Sequence, residues 1–122
     1  YYASRGLGDV YKRQVQGDTM KSISCEALHD LCLSGNFMNI IDVRDKSDFF
    51  EKHIMGSQNI PCNVLLSNPF IYLNYYTNYY IICDYGITSP KVSKILEGKG
   101  FNITNVLGGI NKWKYELVRK HF

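Results

Sequence analysis

Two short runs of bulky apolar residues constrain the fold most: Met38-Asn39-Ile40-Ile41-Asp42-Val43 and Tyr79-Tyr80-Ile81-Ile82-Cys83. Both are too short for a stable helix and rich in β-branched or aromatic residues, so each predicts a buried strand. Segments of helical period surround them. Ser24 offers an N-cap, Glu26 puts a carboxylate in the first turn, and Ala27, Leu28, Leu31 and Cys32 recur on one face until Gly35-Asn36. Asp45 to Lys52 predicts a short helix capped by Asp45 or Ser47, with Phe49 and Phe50 inward. Ser57 to Ile60 predicts a strand stopped by Pro61, Asn63 to Leu66 one helical turn, and Pro69 to Tyr76 another short helix. Ser89 to Glu97 predicts a helix with Pro90 at its first position, where the missing N–H costs nothing, and with a Val92, Ile95, Leu96 stripe ended by Gly98 and Gly100. Thr104 to Leu107 predicts a further strand, and Gly108-Gly109 a turn into a last helix in which Ile110, Trp113, Leu117 and Val118 share a face.

Strands that alternate with helices imply an α/β fold: a three-layer α/β/α domain around a mostly parallel sheet of four to five strands, covered on both faces. The 122 residues carry no internal repeat, and 45% are hydrophobic, enough for the core of one domain. No apolar run approaches the ~18 residues of a membrane span. The net charge of +3 is unevenly placed. Residues 1–14 hold Arg5, Lys12 and Arg13 against Asp9, and the rest of the chain holds 11 basic and 10 acidic residues. A near-neutral body lacks the basic footprint of a nucleic-acid binder. The first fourteen residues have no clean helical or strand period, and their string GLGDVYKRQ looks like a translated adapter. They are expected to lie outside the native fold, the functional alternative being a basic arm, which leaves one domain over 15–122. The lean towards Asn, Ile, Lys and Tyr fits AT-rich codon usage and a low-GC bacterium.

The four cysteines, Cys25, Cys32, Cys62 and Cys83, contain no C-x-x-C pair and are too sparse for a disulfide scaffold. With no apolar leader stretch among the first 30 residues, a cytoplasmic chain with reduced thiols is expected. Cys83 is the chemical candidate. It ends a strand, and Asp84-Tyr85-Gly86-Ile87-Thr88-Ser89 leads straight into a helix. In parallel sheets ligands bind beyond the carboxyl ends of the strands. A thiol placed there faces backbone N–H groups of the loop and the positive end of the helix, both of which favour thiolate over thiol. Gly86 lets the loop curl. The alternative is a buried, inert cysteine.

Three ordered segments resemble the single-domain rhodanese family of sulfurtransferases. Ile41-Asp42-Val43-Arg44, followed by Phe49, Phe50, His53-Ile54-Met55-Gly56-Ser57 and Asn59-Ile60-Pro61, resembles the family's first signature. Cys83-Asp84-Tyr85-Gly86-Ile87-Thr88-Ser89 resembles its active-site loop, and Asn105-Val106-Leu107-Gly108-Gly109-Ile110 with Trp113 its closing motif. The resemblance implies a rhodanese-like fold and a persulfide mechanism with no metal or organic cofactor. Cys83 is the implied nucleophile, residues 84–89 the anion-binding loop, and Asp42, Arg44 and His53 supporting residues. The implied partners are a small sulfur donor, thiosulfate or a persulfide, and a thiol or cyanide acceptor, with a protein sulfur carrier among the options. Neither nucleic acid nor membrane is implied.

The chain departs from the family at Thr88, where a basic residue, most often arginine, is usual. A hydroxyl without charge weakens the case for thiosulfate. Lys91 and Lys94 could substitute or could be solvated helix surface. The departure also keeps open a catalytically weak module that binds or senses. The phosphatases of this fold use a longer loop ended by arginine, whereas Cys83 to Thr88 spans six residues without one. His53 reads as a structural turn residue rather than a general base, and Asp42 and Arg44 as loop ties rather than substrate contacts. Cys25 and Cys32 read as packing residues, and Cys62 as packing or a resolving thiol. Tyr75, Tyr76, Tyr79 and Tyr80 read as packing on sheet edges rather than a nucleic-acid platform, because no basic residue is interleaved between Pro69 and Cys83, with a protein-docking patch as the alternative for any exposed remnant.

Overall fold

The computed structural model describes residues 20–120, and the adapter-like segment lies outside them. Five parallel strands form one sheet: β1 (Ser22–Ile23), β2 (Asn39–Asp42), β3 (Gln58–Asn59), β4 (Asn78–Ile82) and β5 (Asn102–Val106). Their order is β1-β5-β4-β2-β3. The helices are α1 (Cys25–Leu33), α2 (Lys46–Glu51), α3 (Cys62–Ser67), α4 (Pro69–Tyr72) and α5 (Thr88–Gly98).

The period of two along the strands builds the layers. Ile40, Ile82 and Val106 meet Leu28 of α1, together with Ile54, Ile110 and Trp113, on one face. Ile41, Ile81 and Ile103 meet Leu65 of α3 and Val92 and Leu96 of α5 on the other. Leu28, Leu65, Ile81 and Leu96 have no exposed surface. Each such side chain contributes about 1.5–3 kcal/mol by leaving water. The expected three-layer α/β/α architecture is therefore found, with every strand pair parallel.

Register places the site. Ile41 pairs with Ile81 and Asp42 with Ile82, so β2 and β4 end level with each other. The Val43 amide donates to the Ile82 carbonyl at 3.0 Å and carries the pairing one step further. The segments that leave these two strands, Val43-Arg44 and Cys83-Asp84, thus emerge side by side at the carboxyl edge. Among the described residues no helix is long and apolar enough to cross a membrane.

Several local expectations change. Ser24 caps α1 as expected, its hydroxyl accepting from the Ala27 amide at 3.1 Å. Asp45 occupies the cap position of α2 but its side chain makes no capping bond, and Ser47 lies inside the helix. The helix expected over Pro69 to Tyr76 stops at Tyr72. Just beyond it the Asn74 side-chain Oδ1 accepts from the Tyr76 and Thr77 amides, a turn that competes with the helix. Helix α5 begins one residue early, so Pro90 is its third residue, still in the first turn, where a missing N–H breaks no intrahelical bond. Strand β5 begins at Asn102 rather than Thr104, and the two-residue edge strand β1 carried no sequence signal.

The largest correction is the last helix. Only a single 3₁₀ turn, Ile110–Lys112, forms. Val118 instead pairs with His53 in an antiparallel bridge, each amide donating to the other's carbonyl at 2.8–2.9 Å. Those two bonds and the packing of Leu117 against the α1 face reward an extended tail over a helical one. Val118→Pro removes one of the bonds and should cost about 1–3 kcal/mol more than Val118→Ala. Urea denaturation of the two variants checks this.

Candidate active site

Cys83 directly follows β4, and its side chain enters the α5-side core with only 4% of its surface exposed. Its sulfur still has polar company. The Gly86 and Ser89 amides each point at Sγ from 3.2 Å. Two N–H donors converging on one sulfur stabilise a negative charge there more than a neutral thiol. Ser89 is the second residue of α5, so its amide is one of the free donors at that helix's N-terminus.

The loop is shaped by two glycines. Gly86 has φ +83°, and a Cβ on it would stand 2.8 Å from the Gly108 nitrogen. Gly109 has φ +65°, and a Cβ there would collide with the carbonyl oxygens of Cys83 and Asp84. With no side chain at 109 in the way, the next two amides close on the loop. Ile110 N–H donates to the Cys83 carbonyl at 2.8 Å, and Asn111 N–H to the Asp84 carbonyl at 2.9 Å. The Gly108-Gly109 motif is therefore a clasp on the cysteine loop.

A second tie runs through Arg44. Its guanidinium meets the fully buried Asp42 carboxylate at 2.9–3.1 Å and reaches the Lys52 carbonyl at 2.6 Å and Asp84 at 3.4 Å. Burial opposes the charge on Arg44, but hydrogen bonding and attraction from Asp42, then Asp84, raise the guanidinium above its ordinary range. Asn59 Nδ2 donates to the Asp42 and Arg44 carbonyls at 3.0 Å. The carboxyl ends of β2, β3 and β4 are thus joined around one ion pair.

An open cavity of about 410 Å³ stands over Cys83. Of the residues expected at the site, Arg44, Cys83, Asp84, Tyr85, Ile87 and Thr88 line it. Gly86 and Ser89 serve through their amides, and Tyr85, Ile87 and Thr88 are exposed at its rim. Asp42 acts from below, through Arg44. His53 does not line the cavity: its Nδ1 lies 2.6 Å from the Phe49 carbonyl oxygen and its ring stacks on Phe49 at 3.9 Å. Lys91 and Lys94 are exposed on α5 and do not line the cavity.

Sequence reasoning missed Val43, Asp45 and Asp48, which also line the cavity. Asp45 and Asp48 are three apart at the start of the helix after β2, hence near the carboxyl edge where ligands bind, a signal that was present. Cys62 also faces the cavity, and burial followed by the nearby Cys83 pushes its thiol up. Burial likewise pushes up Cys25 and Cys32.

A family model described as "Rhodanese-like domain" matches residues 24–116. A rhodanese-like domain protein from Staphylococcus aureus superposes with a TM-score of 0.77 at 32% identity, covering 84% of this chain and 100% of that one. A Staphylococcus saprophyticus structure gives 0.76 at 36% identity, covering 81% and 99%. The "Adenylyltransferase and sulfurtransferase UBA4" of Debaryomyces hansenii is 33% identical over 109 residues, which are 80% of this chain and 24% of that protein. The chain spans only 20% to 26% of the length of the first curated relatives it matches.

Gly109→Ala should destabilise the fold by about 2–4 kcal/mol, the sum of left-handed strain and overpacking. Arg44→Met, which strands a buried carboxylate, should cost about 3–5 kcal/mol. Denaturant titration measures both.

Proposed function

The chain belongs to the rhodanese-like domain family, and we propose that it is a sulfurtransferase that carries sulfane sulfur as a persulfide on Cys83. The observation that carries this reading is the pair of amides aimed at Sγ on the floor of the open cavity. The sulfurtransferase named among its relatives supports the same chemistry.

In the loading step the Cys83 thiolate attacks the outer sulfur of a donor. With thiosulfate, the donor's S–S bond breaks, its electron pair leaves on sulfite, and Cys83–S–S⁻ remains. In the unloading step a thiolate or cyanide attacks the outer persulfide sulfur. The Cys83–S bond to it breaks, the Cys83 thiolate is regenerated, and an acceptor persulfide or thiocyanate departs. Charge and electrons balance in both steps, so neither a redox reagent nor a metal is consumed. The Gly86 and Ser89 amides hold the negative sulfur as attacker and again as leaving group. A protein sulfur carrier is an acceptor of suitable chemistry, and four unpaired cysteines suit a reducing compartment such as the cytoplasm.

Incubating the reduced protein with a persulfide donor should add one sulfur atom to Cys83 by mass spectrometry. Cyanide or dithiothreitol should then remove it, and Cys83→Ser should take up none. Sulfur found on another cysteine, or none on Cys83, sinks the assignment. Iodoacetamide should also label Cys83 faster than Cys25, Cys32 or Cys62, whose thiols are pushed up by full or partial burial and so hold less thiolate.

Thr88 favours a second reading, a module that binds or senses with weak turnover, because the rim has no cation at that position. The two readings part on thiosulfate. Thr88→Arg supplies one charge-assisted contact and should lower the KM for thiosulfate by about tenfold. An unchanged KM, with a persulfide that no acceptor unloads, selects the binding module.

A further inference from the structure

The cavity over Cys83 has an unusual balance of charge for a site expected to meet an anionic donor. Three carboxylates line it, those of Asp45, Asp48 and Asp84, against one cation, Arg44. Arg44 is not available to a ligand: Asp42, the Lys52 carbonyl and Asp84 already engage its guanidinium. Among the described residues no cation pairs with Asp45 or Asp48. The loop itself, Cys83 to Thr88, contains Asp84 and no basic residue. Among the described residues the groups that donate to the sulfur are two backbone amides, whose field is short-ranged, whereas Asp45 and Asp48 make the opening negative.

Resting on the persulfide reading above, we propose that Asp45 and Asp48 are specificity-determining residues that make the site prefer sulfane-sulfur donors carrying a cationic group over anionic donors such as thiosulfate. An ammonium-bearing thiol persulfide, R–S–SH, fits both parts of the site. Its cationic end meets the carboxylates, and its small outer sulfur reaches Cys83 below. The thiolate attacks that outer sulfur, the donor S–S bond breaks, and R–S⁻ leaves with the bond's electron pair, giving Cys83–S–SH. A dianion must instead pass the two unpaired carboxylates of Asp45 and Asp48 before it meets the two amides. Tyr85 and Ile87, 67% and 68% exposed beside the opening, offer apolar surface to the carbon skeleton of such a donor.

The test compares single-turnover loading of Cys83 from cysteamine persulfide, glutathione persulfide and thiosulfate, followed by mass spectrometry. The first two share their sulfur chemistry and differ in charge. The same rates are measured for the Asp45→Asn, Asp48→Asn double variant, so that the intrinsic reactivity of each donor cancels. The cysteamine-to-glutathione rate ratio should fall at least about fivefold in the double variant, with thiosulfate loading rising by a similar factor. In the unaltered protein the ratio should also shrink as ionic strength rises from about 0.01 M to about 1 M, which needs no variant to fold. A ratio equal in the two proteins and insensitive to salt overturns the charge selection while leaving Cys83 as sulfur carrier. Failure of every donor to load Cys83 overturns the carrier reading and the selection together.

Discussion

The close approach of Gly109 to the Cys83 and Asp84 carbonyls is the contact on which the site depends. No side chain fits between these segments, so the Ile110 and Asn111 amides can reach those carbonyls. With its first two carbonyls pinned, the loop must turn within a few residues to join α5. Gly86 takes the positive φ that the turn requires. The Gly86 and Ser89 amides then point at the sulfur. A buried thiol at the end of a strand is ordinarily an inert packing group. Here the backbone around it aims two N–H donors at the sulfur, which a packing cysteine does not require.

The Asp42–Arg44 pair has a complementary role. It is buried and satisfied by several hydrogen bonds, the arrangement in which an interior ion pair is tolerated. Its contribution is geometric more than energetic. It joins the end of β2 to the Lys52 carbonyl after α2 and to the cysteine loop, so the cavity has a defined wall. The cost is that the one arginine in the wall is spent on structure. Asp45 and Asp48 are then left at the opening without an ion-pair partner among the described residues, and the donors at the sulfur are backbone amides.

The parts of this arrangement differed in how readable they were. Helix α1 and strands β2 and β4 followed from local pattern, because their side chains bury on one face or along one short run. The site loop was readable from a cysteine, a glycine and a helix start in the right order. The carboxyl-terminal segment was not. Ile110, Trp113, Leu117 and Val118 have helical spacing, but the backbone bonds between Val118 and His53 outweigh that preference. Those bonds join residues 65 positions apart, and no local pattern reports on them. Strand β1 escaped for the same reason: two residues acquire strand character only by pairing with β5. The placement of Asp45 and Asp48 at the cavity had a signal in their position just after β2, but carboxylates at a helix start usually serve the helix itself and read that way first.

By itself the sequence determined the α/β class, the order of the main strands and helices, and the cysteine placed at a strand end before a helix. These rest on periodicity and on the special backbone freedom of glycine, which act over a few residues. The tertiary structure decided which amides face the sulfur, that Arg44 is bound to Asp42 rather than free, and that three carboxylates surround the opening. Those outcomes depend on β2 and β4 ending level in a parallel sheet. Only the assembled sheet brings chain segments 40 residues apart within hydrogen-bonding distance.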